Sequence, residues 1–313
     1  MSNREPEHYV APVEDVTVDV DAVKLKERKS NLWLDAWRDL RRRPLFYAAV
    51  IVVLIVTLMA LFPNLFTSVP PDKECLLANS DGSPTAGHPL GFTRQGCDIY
   101  SRVVWGARTS LSVGILVVLI TAVIGIPMGA IAGFFGGKLD SFLSRVGDIF
   151  FSIPYFLAAI VVMSVLSAHR NVLTISLAIG GFAWASLSRI LRAEILQVKN
   201  SDYVMASESI GRGRMQTLLN HVLPNSLTPV IVSLTIALGA AMVAEASLSF
   251  LGIGLPADVM SWGRDISEAG VSIRTAPMSL VWPSLALTLT VLAFIVLGEL
   301  IRDALDPKAR ARR

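Results

Sequence analysis

The chain has 313 residues, 53% of them hydrophobic and 17% charged, with a mean hydropathy of +0.56 and a formal net charge of +3. A soluble domain of that length carries more charge on its surface, so soluble globular classes are excluded and the surplus apolar surface must face lipid. Its apolar runs approach the ~20 residues with which a helix crosses a ~30 Å hydrocarbon core, and strand-like alternation does not dominate them. The expected class is therefore an all-α integral membrane protein with six transmembrane helices.

Residues 1–30 are polar, with acids and bases near balance and no apolar period, and read as a disordered cytoplasmic extension. Within 31–43, Trp33, Trp37 and Leu40 recur at helical spacing opposite Asp35, Arg38 and Asp39. That pattern predicts an amphipathic helix, either lying at the headgroups, where tryptophan is favoured, or packed on neighbouring spans. The first span is expected at 44–66. A long charged segment precedes it and it has no small-residue cleavage site, so it reads as an anchor and not as a removable signal. An external loop, 67–110, holds both cysteines, Cys75 and Cys97.

A transmembrane core follows over 111–301. Its second span, 111–133, carries Gly125, Gly129 and Gly133, with Gly137 just beyond, at intervals of four, a stripe along which another backbone can approach closely. Pro127 lies inside the stripe and predicts a kink. The third and fourth spans, 152–168 and 172–189, are the shortest. A polar, helix-forming connection then runs from 189 to 226. There Asp202 is expected to cap a short helix through Tyr203, Ala206, Ser207 and Ile210, with Gly211 and Gly213 ending it and a second helix running until Pro224 stops it. Two short helices joined at glycines make a knob suited to a cleft in a soluble partner; an ordinary surface loop is the alternative. The fifth span, 227–250, carries Glu245 toward its outer end, where an acid is unfavourable unless paired or wetted. Glu245 either lines a pathway or contacts an amine, or it caps the turn around Ser247, Ser249 and Gly252. The sixth span, 279–301, leads into a basic tail, 302–313.

With the N-terminus inside, most of the 28 Lys and Arg fall on the cytoplasmic side, at 41–43, 189–214 and 308–313, so both termini are expected in the cytoplasm. The net charge then reports topology and implies no nucleic-acid partner. The loop with Cys75 and Cys97 faces the oxidising outer compartment, where a disulfide can close it; two unrelated loop cysteines are the alternative. The chain lacks a G-x-x-x-x-G-K-[ST] phosphate loop, an H-E-x-x-H helix and a G-x-S-x-G elbow, and its four histidines do not cluster. No catalytic or metal site is expected, and any ATPase must be supplied in trans.

Four stretches resemble the C-type permease subunit of the dipeptide, oligopeptide and nickel ABC importers, over about 32–307. The entry Leu32-Trp33-Leu34-Asp35-Ala36-Trp37-Arg38 with Arg43-Pro44 is similar to the family's amphipathic lead-in. His88-Pro89-Leu90-Gly91, Gly96, Asp98, Ser101-Arg102 and Gly106-Ala107-Arg108-Thr109-Ser110-Leu111 are similar to its signature before the second span. The segment 202–224, from Asp202-Tyr203-Val204-Met205-Ala206-Ser207-Glu208-Ser209-Ile210-Gly211 to Leu223-Pro224, resembles the EAA loop that engages the ATPases. Glu245-Ala246-Ser247-Leu248-Ser249-Phe250, Gly252 and Ser261-Trp262-Gly263 resemble the family's segment at the outer end of the fifth span.

The resemblance implies a type I importer fold in a bacterial cytoplasmic (inner) membrane. It implies a homologous second permease as heterodimer partner, two ATPase domains, separate or fused, that bind ATP and Mg, and an extracytoplasmic solute-binding protein that delivers a peptide. This chain itself holds no cofactor. Asp202, Tyr203, Met205, Ala206, Ser207, Glu208, Gly211, Leu223 and Pro224 become the coupling residues, and Glu245 and Ser249 candidates for the pathway or outer gate. Two departures stand out: Met205 occupies the position of the EAA glutamate, with Ser207 in place of the second alanine, and Cys97 replaces an arginine of the outer signature, which fits a bond to Cys75. An ion-coupled secondary transporter and a membrane scaffold or assembly subunit are the competing classes; the first should show inverted repeats with broken helices at matched positions, and no such repeat is visible.

Overall fold

The computed structural model describes residues 32–305 apart from residue 74. The expected extension 1–30 and the end of the basic tail lie outside the described residues, among which the structure is helical, with two isolated β-bridges and no strand.

Helix α1 (Leu32–Leu40) turns at Arg43 into α2 (Pro44–Leu61). Ala36 and Leu40 are buried against Phe46 and against Leu300, Ala304 and Leu305 near the chain's end. Trp37 stays half exposed, its ring 5.8 Å edge-on from Phe46. Of the expected stripe, Leu40 thus packs on neighbouring helices together with Ala36, Trp37 stays at the rim, and the side chain of Trp33 lies outside the described residues. Arg43 clasps the corner by donating to Asp39 at 2.7 Å and to Asp303 at 3.0 Å. Leu45, Ile51, Leu54 and Ile55 of α2 are exposed, as an outermost, lipid-facing helix requires.

Residues 62–98, residue 74 aside, form a folded segment with two 3-10 turns and a disulfide between Cys75 and Cys97. It ends at Asp98, whose carboxylate caps the next helix by accepting from the Ser101 amide at 2.8 Å. That helix, α3 (Ile99–Phe135), has 37 residues and runs unbroken through Pro127. At 1.5 Å per residue it is about 55 Å long, well beyond the ~30 Å thickness of a hydrocarbon core. The glycine stripe faces α6 (Val172–Val198): a Cβ at Gly125, Gly129 or Gly133 would meet the Trp184 carbonyl, the Ser188 carbonyl at 2.5 Å, or Ile195. Gly180 of α6 returns the contact against Val117 and Ile120. Gly137 does not share this role, because the chain turns at Gly136 and Gly137, both at positive φ, into α4 (Gly137–Ser152).

The third expected span differs from expectation. α4 and α5 (Tyr155–Val165) are together long and apolar enough to cross, yet they bend by 75° at the break between them. Pro154 is the cause: it has no amide to give the helix, and it holds Ile153 in an extended conformation, at φ −92° and ψ 117°.

After α6, α7 (Asp202–Ser209) and α8 (Arg214–Thr217) lead through a π-helical turn (Leu218–Val222) to α9 (Leu223–Ser226). Then come the central α10 (Thr228–Phe250), a short α11 (Trp262–Ala269) and α12 (Met278–Leu305). Five helices, α2, α3, α6, α10 and α12, are each long and apolar enough to span a membrane, and the bent pair makes up to six crossings. α10 joins two apolar cores. Ala241, Ala244 and Leu248 pack with α3, α5 and α6, while Met242 and Ala246 pack with α2, α3, α11 and α12.

Candidate functional site: knob, outer seam and cavity

The knob is α7 to α9. Val204, Leu218 and Val222 are buried in one core with Ala130 and Phe134 of α3 and Leu187, Leu191 and Ile195 of α6. Arg212 and His221 meet at 3.0 Å across its two arms, and Lys199 donates to the Gly133 carbonyl at 2.9 Å. The knob is therefore seated on the α3–α6 pair and does not hang from it. Its outward face carries large apolar side chains: Tyr203, Met205, Ile210, Met215 and Leu219 are exposed, Ile210 by 83%. Asp202, Ala206, Glu208, Gly211 and Pro224 are exposed with them. Ser207 instead is buried, its hydroxyl 3.4 Å from that of Thr217, and Leu223 is half buried.

Three local expectations change here. Ser201, not Asp202, occupies the cap position and makes no side-chain cap bond; Asp202 lies in the first turn, where its charge still favours the helix N-terminus. Gly211 ends the helix at φ +81°, while Gly213 is in ordinary extended backbone. Pro224 does not stop the second helix. The π turn before it widens the backbone and seats the proline in the first turn of α9, where no amide is needed.

The other end of α3 meets α10 and α11 in a tight seam. Trp262 is fully buried; its ring N–H donates to the Val103 carbonyl at 2.7 Å and its backbone N–H to the Ser110 hydroxyl at 3.1 Å. Gly106 makes room for the Trp262 ring, and Gly263 lies where a Cβ would sit 2.4 Å from Ala246 Cα. Glu245 is wholly buried beside them, one oxygen accepting from Ser249 at 3.0 Å and Ser261 at 2.8 Å, the other without a partner. Arg102 binds Asp265 through its Nε at 2.8 Å and also through Nη2, and Gln95 and Arg264 donate to Glu268 beside it. Burial pushes Asp265 above the ordinary carboxylate range, the Arg102 guanidinium pulling the other way. The stretches 106–110, 245–249 and 261–263, far apart in sequence, thus form one contact.

Between knob and seam lies a cavity of about 190 Å³ walled by α3, α6, α10 and Tyr155. Glu245 and Ser249 are not among its lining residues, whereas Thr121, Ser186 and Ser233 are, and none of these three carried a sequence signal. Single hydroxyls are common in spanning helices, so only the tertiary position distinguishes them. Among the described residues no group of three or more His, Cys, Asp or Glu could hold a metal ion.

Comparison with known proteins gives consistent matches. Residues 125–311 match the model of the binding-protein-dependent transport system inner membrane component, and 31–83 that of the N-terminal TM domain of oligopeptide transport permease C. The chain is 34% identical over 290 residues, 93% of its length and 94% of the relative's, to the oligopeptide transport system permease protein OppC of Bacillus subtilis. It is 33% identical over 309 residues, 98% and 95% of the two lengths, to the dipeptide transport system permease protein DppC of the same organism. It is 34% identical over 278 residues, 89% and 91%, to the glutathione transport system permease protein GsiD of Escherichia coli. In fold it is similar to a chain of the MetNI methionine ABC transporter in an inward-facing conformation, with a TM-score of 0.51 at 20% identity over 65% of this chain and 96% of that one.

Proposed function

Because the chain belongs to the family of binding-protein-dependent transport system inner membrane components, we propose that it is one of two permease subunits of an ATP-driven importer of peptides. The observation that carries the coupling role is the knob: a rigid seat on α3 and α6 beneath an exposed face of Tyr203, Met205, Ile210 and Met215. An apolar surface that faces water is unfavourable in an isolated chain and is resolved when a soluble partner covers it. The partner is an ATPase domain that binds ATP and Mg; this chain has no phosphate loop and supplies no catalytic group.

In this reading both termini and the knob face the cytoplasm, and the disulfide-closed segment faces the solute-binding protein outside. A homologous second permease completes the pathway. Closing of the two ATPase domains draws the knobs together. The knob is continuous with the α3–α6 core, so its displacement rocks the whole bundle and alternates access to the pathway. Peptide as the substrate class rests on the relatives named for oligopeptide, dipeptide and glutathione transport. The test is purification of the tagged chain from its own membranes in a mild detergent, with identification of what comes with it. A second permease, a phosphate-loop ATPase and a solute-binding protein are the expected set. Recovery of the chain alone, active in proton- or sodium-driven uptake, would refute the proposal.

A further inference from the structure

At the corner between α1 and α2 the carboxylates are already engaged. Arg38 donates to Asp35 at 3.1 Å, Arg43 donates to both Asp39 and Asp303, and Glu299 lies 4.0 Å from Arg302. Arg41 and Arg42 are exposed, and among the described residues neither meets a carboxylate. Two adjacent cations thus stand on the surface without a counter-charge from the described residues.

Their place in the fold says what supplies it. The uncharged run of α2 starts at Pro44 and is apolar enough to enter a membrane, whereas three successive arginines stay out of hydrocarbon, so the corner lies at the headgroups. Below it Tyr47, Ile51, Leu54 and Ile55, spaced by four, three and one, form an exposed apolar stripe along α2. The Tyr47 hydroxyl donates to the Arg41 carbonyl at 3.0 Å, which sets the head of that stripe against Arg41. Phe46 is edge-on to both Trp37 and Tyr47, at 5.8 and 5.7 Å, and these two outer rings are half exposed, as aromatic side chains at a membrane interface are.

We propose that Arg41 and Arg42, above the exposed Tyr47–Ile51–Leu54 stripe of α2, bind the headgroup of an anionic phospholipid whose acyl chains lie along that stripe. A guanidinium offers phosphate two parallel N–H donors, and a headgroup with net negative charge supplies the missing counter-charge, which a zwitterionic one does not. The site needs only that α2 crosses a membrane. It therefore stands whether or not the chain imports peptides.

The test places the full-length chain in nanodiscs of phosphatidylcholine that contain a trace of phosphatidylglycerol or phosphatidylcholine with a photoreactive acyl chain. After illumination, mass spectrometry measures the lipid attached to residues 44–55, and the ratio of the two lipids is the enrichment. One arginine near an anionic phosphate is worth about fivefold, so two acting independently give an enrichment on the order of 25-fold. Arg41→Gln or Arg42→Gln should each lower it about fivefold, and the pair should bring it close to one. Both side chains are exposed, so thermal midpoints should stay unchanged, and replacing both by lysine should keep most of the enrichment because the charge is kept. Arg145→Gln, exposed on α4, is the control and should change nothing. Equal attachment of the two lipids to the unaltered chain would overturn the site, as would glutamine variants that keep the enrichment. A loss as large with Arg145→Gln would show a response to net charge alone and also overturn it. Inorganic phosphate that abolishes the enrichment, where sodium chloride of equal ionic strength does not, would assign the arginines to a soluble anion and overturn the lipid assignment.

Discussion

Glu245 is an acid inside a spanning helix whose surroundings settle what it holds. Only one of its oxygens is bonded, to two serine hydroxyls, one on its own helix and one that caps α11. Glutamine keeps that acceptor, so Glu245→Gln should leave the thermal midpoint of the detergent-solubilised chain nearly unchanged. Glu245→Ala strands both hydroxyls and opens a void, and should destabilise by about 2 kcal/mol. Equal midpoints for the two variants would show that the serine bonds hold nothing. Gly211 acts through backbone conformation. At φ +81° with open space around its would-be Cβ, it tolerates the volume of a side chain but not its left-handed strain. Gly211→Val should add about 1–2 kcal/mol of strain and reduce the ATPase that co-purifies, with Gly211→Asn much milder. Undiminished ATPase recovery from the valine variant would count against the knob as the docking element.

At the scale of elements, α3 and α6 are held by what their glycines leave out. The Ser188 carbonyl sits 2.5 Å from where a Gly129 Cβ would be, so Gly129→Ala must push two backbones apart and should lower stability by about 1–3 kcal/mol. Gly147 in α4 has nothing within 4 Å, and Gly147→Ala should be neutral or slightly stabilising through helix propensity. Melting of the two variants side by side checks the claim; a neutral Gly129→Ala would mean the helices are not in close register. The knob rests on this same pair, so loosening it should also weaken coupling between ATP hydrolysis and uptake. The bent α4–α5 pair carries the complementary lesson: a run of apolar residues long enough to cross is not a straight crossing when Pro154 divides it.

For the whole molecule the proposal fixes which end faces which compartment. Glu208→Cys, exposed on the knob, should react with a membrane-impermeant maleimide only after cells are opened, and Ala86→Cys, exposed in the disulfide-closed segment, should react in intact cells. The reverse pattern would invert the topology and with it the assignment of the ATPase face.

The sequence by itself determined the class and most of the spans, because the match between apolar run length and hydrocarbon thickness is local and needs no partner. It also marked the glycine stripe and the helix stop at Gly211, features set by backbone sterics within a few residues. Only the tertiary structure decided that Ser110, Glu245, Ser261 and Trp262 meet in one seam, that Ser207 turns inward, and that the Thr121 hydroxyl is buried without a partner. Those are contacts between distant segments. They depend on how helices cross and rotate about their axes, and a helical pattern nearly uniform in apolarity, as in α2, α5 and α10, carries almost no record of which face turns inward.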